Sequence, residues 1–166
     1  MTGPVNVTEY KHSAFPLWLA STAAVVFRLF FAESESFNSF KQHFHSAVVK
    51  CSPLLQQLGV ELDAYFDGSS KPFTTVMDIS TGTQFQQSVW KALLTIPHGT
   101  VLTYGQVAKQ IGKPRAVRAV GSANGANPLP VIIPCHRVVA AGGNIGGYGS
   151  GVQIKRALLD LEGYSI

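Results

Sequence analysis

The sequence predicts a mixed α/β (α+β) protein in two parts: a small α/β unit over residues 1–80, then a mainly helical unit over 81–166 with a winged-helix-like helix-turn-helix. Three observations predict it. β-branched and aromatic runs, the usual material of strands, gather upstream of residue 80. Two Thr-x-x-Gln capping boxes, which start helices, both lie downstream. The charge also changes sign: residues 1–80 carry five Lys/Arg against seven Asp/Glu, net −2, and residues 81–166 carry eight against two, net +6, together the chain's +4. The turn-rich segment Asp78-Ile-Ser-Thr-Gly-Thr83 marks the break.

In the first unit, Leu17–Ala20 and Ala24–Phe31 read as strands. Residues 37–49 and 52–66 read as helices, the second closed by Gly68-Ser-Ser. His43 and His45 are two apart, and on a helix such residues diverge, so no metal site is expected. The apolar run Ala20–Ala32 is interrupted by Arg28 and is too short to span a bilayer. No secretory leader is read at the N-terminus, and two cysteines, Cys51 and Cys135, make no disulfide framework. A cytoplasmic protein with no membrane partner is expected.

In the second unit, the box Thr83-Gln-Phe-Gln86 opens a helix with Phe85, Val89 and Leu93 on one face, ended by Pro97 and Gly99. The box Thr103-Tyr-Gly-Gln106 opens another, stopped at Gly112. Pro114 can start a third, running to about Asn124. In that helix Ala116, Ala119, Val120 and Ala123 follow the i, i+3, i+4, i+7 pattern and should pack inward. Arg115, Arg118 and Ser122 lie opposite, among small residues, and no acid occurs between Asp78 and Asp160. Such a face is read as suiting a phosphate-lined groove; the alternatives are an ordinary solvated face or an interhelical contact made by the small residues.

Val131-Ile-Ile-Pro-Cys-His-Arg-Val-Val139 carries the chemistry. Pro134 pushes Ile133 toward an extended conformation, so the chain is expected to reach Cys135 as a strand. A thiol becomes a nucleophile as its thiolate, whose pKa a cationic environment can lower; His136 and Arg137 are candidate positive partners, with Arg137 read as structural, neutralising something behind the strand rather than reacting. Neighbours on a strand point to opposite faces, so Cys135 and His136 cooperate only if the backbone turns there or a water joins them. An orienting acid must then be Asp160 or Glu162, the two acids that follow the motif. The alternative is a cysteine that is inert core filling.

Pro134-Cys-His-Arg-Val138, preceded by Arg118-Ala-Val-Gly-Ser-Ala-Asn-Gly-Ala-Asn-Pro128, resembles the O6-alkylguanine-DNA alkyltransferases (methylated-DNA–protein-cysteine methyltransferases) of stand-alone bacterial type. The likeness extends through Gly82-Thr-Gln-Phe, Val89-Trp90, Ile96-Pro-His-Gly99, Thr103-Tyr-Gly-Gln106 and Gly147-Tyr148 to Leu158-Leu-Asp-Leu-Glu-Gly163. It implies DNA repair by direct reversal. The alkyl group of O6-alkylguanine, and of O4-alkylthymine, passes irreversibly from duplex DNA to the protein's own cysteine, in a single turnover without cofactor or metal, by a monomer. By this resemblance Cys135 is the acceptor, His136 takes its proton through a water, and Glu162 orients His136. Tyr104 donates toward the leaving guanine, assisted by Lys155, and Asn127 ties the DNA-binding helix to the thiolate. Arg118 fills the gap left by the flipped base. Thr103, Tyr104, Val117, Ala119, Ser122, Asn124 and Gly125 are the further DNA contacts. Tyr104, Val138, Tyr148, Gly149, Ser150 and Lys155 line the base pocket. Ser150 stands where many relatives carry glycine, which bears on tolerance of bulky adducts. A non-catalytic lesion binder and a helix-turn-helix regulator are the rival readings; the first would lack Cys135, and the second leaves the Cys-His-Glu set unexplained.

Overall fold

The computed structural model describes residues 5–32, 48–49 and 52–166. It divides into two compact units, Met1–Asp78 and Ile79–Ile166.

The first unit is built on a four-stranded sheet in the order β3-β2-β1-β4. Strands β1 (Asn6–Tyr10), β2 (Leu17–Ser21) and β3 (Val26–Phe31) form an antiparallel meander, with a bulge between Ala20 and Ser21. β4 (Val48–Val49) adds in parallel to β1. Helix α1 (Pro53–Phe66) starts where Ser52 caps it and Pro53 presets its first turn. Leu55, Leu58, Leu62 and Tyr65 give it one buried stripe. Two sequence expectations need amending. β1 was not read as a strand, and Val48 and Val49, read as the end of a helix, pair as strand residues. The rest of that predicted helix, with His43 and His45, lies outside the described residues, as does Cys51.

The second unit is helical around a two-stranded parallel ladder. Both capping boxes form as their spacing predicts. Thr83 and Gln86 close the first turn of α2 (Gln84–Leu93), and Thr103 and Gln106 that of α3 (Tyr104–Gln110). Gly112, with φ +71°, turns the chain out of α3. The next helix, α4 (Val117–Gly125), begins three residues beyond Pro114, which lies in the connecting turn. β5 (Leu102–Thr103) pairs with β6 (Val138–Val139), so the start of α3 and the Cys135 segment are held side by side. Helix α5 (Val152–Leu161) follows and ends at Glu162. Trp90 of α2 packs on Gly82 and donates from Nε1 to the Ala123 carbonyl of α4 at 2.8 Å. No helix among the described residues is long and apolar enough to cross a membrane.

Candidate active site

The chain does not reach Cys135 as a strand. Val131 and Ile132 lie in a turn, Val131 with a left-handed φ of +75°, Ile133 makes only an isolated bridge with Pro130, and Cys135–Arg137 form one turn of 3-10 helix before β6. The ladder follows the thiol rather than preceding it. This turn lets consecutive side chains serve one site, which an extended backbone would forbid.

Behind the thiol runs a connected polar row. His136, fully buried, bonds through Nε2 to Oε1 of Glu162 at 2.8 Å. Arg137 forks onto the same carboxylate, with Nε to Oε2 and Nη2 to Oε1 each at 2.8 Å, and Nη1 reaches the Ile96 carbonyl at 2.6 Å. The Gly99 amide donates a fourth bond to Glu162, to Oε2 at 3.2 Å. A carboxylate in apolar surroundings is sustainable only with such satisfaction. Asp160, the other candidate acid, is exposed. Arg137 is therefore the counter-charge of Glu162, not a reacting group.

Cys135 is 4% exposed, and its Sγ lies 3.8 Å from the Tyr148 hydroxyl. Burial pushes the thiol up, against opposing help from Asn127, Tyr148 and the Lys155 ammonium. The sequence expectation of a thiol lowered by cationic neighbours is thus corrected: desolvation outweighs them. Burial likewise holds His136 below the usual imidazole range, despite Glu162. Both shifts favour the uncharged forms, thiol and imidazole, at neutral pH. Asn127 accepts from Leu129 N at 3.0 Å and donates to the Ile133 carbonyl at 2.8 Å, bracing the turn before the thiol. Tyr104 is half-buried between Gly121 and Gly146; burial and the nearby thiol raise its pKa, so its hydroxyl keeps the proton it would donate.

Lys155, expected in a base pocket, is held within the wall around it. It is buried, and its ammonium bonds three carbonyls: Val138 at 2.6 Å, Ile145 at 2.5 Å and Gly147 at 3.3 Å. With its donors so engaged, it braces the wall beyond β6 and adds positive charge near the thiol. Burial lowers its pKa to about 8. Val138 is buried in that wall, Tyr148 and Ser150 are half-buried, and Gly149 is exposed.

Helix α4 presents Val117, Arg118, Ala119, Ser122 and Gly125 on its exposed side. Ala119, placed inward by periodicity but a DNA contact by the resemblance, faces out; Val120, Ala123 and Asn124 are the buried residues of this helix. Asn124 is the converse case. It was read as a groove contact, but it is buried and donates from Nδ2 to the Cys135 carbonyl at 3.2 Å. Thr103 is half-buried and occupied as the cap of α3.

Comparison with known proteins agrees with this geometry. A family model described as the DNA-binding domain of 6-O-methylguanine DNA methyltransferase matches residues 84–164. The methylated-DNA–protein-cysteine methyltransferase of Methanosarcina mazei is 41% identical over 152 residues, which cover 92% of this chain and 93% of that protein. The chain belongs to the methylated-DNA–protein-cysteine methyltransferase family. The member from Mycobacterium tuberculosis is 57% identical over 102 residues; the match spans 61% of the length of either protein. A crystal structure of Mycobacterium tuberculosis OGT in complex with DNA superposes with a TM-score of 0.84 at 43% identity, covering 95% of this chain and 92% of that one. The sequence reading has Arg137 as a structural, neutralising residue, in keeping with its fork onto Glu162, but missed two supports around the site: the Asn124 amide and the Gly99 amide. The motif Ile96-Pro-His-Gly99 was a signal for the second, since its turn places a backbone N–H on Glu162.

Proposed function

We propose that this chain repairs DNA by direct reversal, moving the alkyl group of O6-alkylguanine, or of O4-alkylthymine, onto Cys135 in a single turnover. The observation that carries the reading is a buried thiol next in sequence to the His136–Glu162–Arg137 row, its own carbonyl held by a helix whose exposed face is small and basic. Small residues at Ala119, Ser122 and Gly125 would let the backbone of α4 approach a minor groove, and Arg118, exposed on the same helix, would fill the space of an extruded base. Val117, Thr103 and Tyr104 complete that contact. The flipped base would lie against Tyr104, Val138, Tyr148, Gly149 and Ser150.

The proton of Cys135 passes through a water to His136, whose charge Glu162 stabilises. Sγ attacks the alkyl carbon, the carbon–O6 bond breaks as the carbon–sulfur bond forms, and guanine leaves with a proton from Tyr104. Asn127 supports the thiolate. No cofactor or metal enters the scheme, and nothing regenerates the thiol. The protein would act as a monomer in the cytoplasm. Incubation with an O6-methylguanine duplex followed by intact-protein mass measurement tests this. One added methyl, abolished in Cys135→Ala, is expected; unchanged mass despite tight binding would mark a lesion binder and refute the transfer.

A further inference from the structure

Asn124 occupies an unusual place for its type. Asparagine is a weak helix former, yet it sits in the last turn of α4, buried to 4% exposure between Val120, Ala123 and the thiol segment. Its Nδ2 donates to the Cys135 carbonyl, while its Oδ1 is buried with no partner among the described residues. A buried acceptor left unmet costs about 1–3 kcal/mol. An aliphatic side chain of the same size would avoid that cost, so packing alone does not account for an amide here. The amide does what leucine could not: it grips the peptide that carries the reactive sulfur. The same carbonyl accepts from Val138 N, closing the 3-10 turn of Cys135–Arg137. One residue earlier, the Ala123 carbonyl is held by the Trp90 indole at 2.8 Å. The end of α4 is thus pinned on one side to α2 and on the other to the thiol's own peptide. Its opposite face, Arg118, Ser122 and Gly125, is exposed.

We propose that Asn124 is a positioning residue for alkyl transfer: it fixes the aim of the Cys135 thiol relative to the DNA-facing helix α4. This rests on the transfer reaction proposed above. Asn127 braces the turn before the thiol, whereas Asn124 reaches the thiol's peptide from inside the helix that meets DNA. A small misplacement of a nucleophile lowers the rate of the bound complex without lowering affinity.

The test is Asn124→Leu, which keeps the branching and number of heavy atoms and removes both the donor and the orphaned acceptor. Single-turnover methyl transfer is followed over a range of concentrations of an O6-methylguanine duplex. The saturating rate constant should fall on the order of 10–100-fold, with the half-saturating concentration unchanged within about twofold. A rate constant within about twofold of the unmodified protein would overturn the proposal. So would a raised half-saturating concentration with the rate constant kept, which would make Asn124 a DNA contact. Should the leucine variant not fold, Asn124→Ser, polar but too short to reach the carbonyl, gives the same comparison. The unmodified protein is the control. If it gains no methyl, the transfer reading itself fails; if it does and the variants match it, only the role of Asn124 fails.

Discussion

Replacing Glu162 by glutamine probes the row behind the thiol with almost no change in shape. The carboxylate accepts four hydrogen bonds, from His136, twice from Arg137, and from Gly99. An amide presents one oxygen, so two of those donors lose their acceptor. The Arg137 side chain, 12% exposed, also loses its counter-charge. Breaking one side of a buried ion pair costs about 3–5 kcal/mol, and the two surviving bonds favour the lower figure, about 3. For a chain of this size that lowers Tm by roughly 6–12 °C. The catalytic effect is separate. His136 must take a proton despite a burial that disfavours its charged form. A charge-assisted bond to Glu162 is worth about 1.5–3 kcal/mol to the imidazolium, or roughly 10–100-fold in rate. Thermal unfolding reads the first effect. Single-turnover transfer from an O6-methylguanine duplex, well below Tm, reads the second. If Tm drops as expected and the rate holds within about twofold, Glu162 serves the fold alone and the proton relay is wrong.

Three further outcomes are expected. Arg118→Ala should slow transfer from duplex DNA at least about tenfold while sparing a free-base analogue; equal losses would remove its role in extrusion. Because burial raises the thiol, alkylation of DNA-free protein by iodoacetamide should reach its half-maximal rate above about pH 8.5, the value of a free cysteine. A midpoint below that would show an activated thiolate at rest. Gly82→Ala should destabilise the second unit by about 1–3 kcal/mol in urea unfolding, since a new Cβ would lie 2.3 Å from the Trp90 ring; an unchanged midpoint would show that Trp90 moves freely.

The parts of this protein legible in its sequence are those governed by local rules. Capping boxes at Thr83 and Thr103 fix helix starts through bonds three residues apart, and both formed. Ser52 and Pro53 began α1 for the same reason. β1 escaped because Asn6, Thr8 and Glu9 give it a polar surface, and only pairing with β2 and β4 makes it a strand. The Cys-His-Arg triplet was legible as chemistry, but its backbone was not. Pro134 suggested extension, whereas Asn127 and Asn124, both bonding to carbonyls of residues 133–135, fold the segment into turns. Asn124 took the covered side that periodicity had given to Ala119, for a related reason. Periodicity assigns small and amide residues weakly, and the thiol segment decides which of them is covered. The sign of the thiol's shift could not be read from neighbours in sequence, since it depends on how completely water is excluded.

The left-handed turn at Val131 bears on how such a protein can be allowed to work. A β-branched residue at φ +75° is strained, by about 1–3 kcal/mol, and the surrounding contacts must hold it there. An enzyme that cycles needs a mouth that opens for each product, so stiffness beside its reacting atom slows it. A protein that fires once has no second substrate to admit. Under the proposed reaction, rigidity ahead of the sulfur carries no penalty in throughput, and natural selection is free to keep the spring wound.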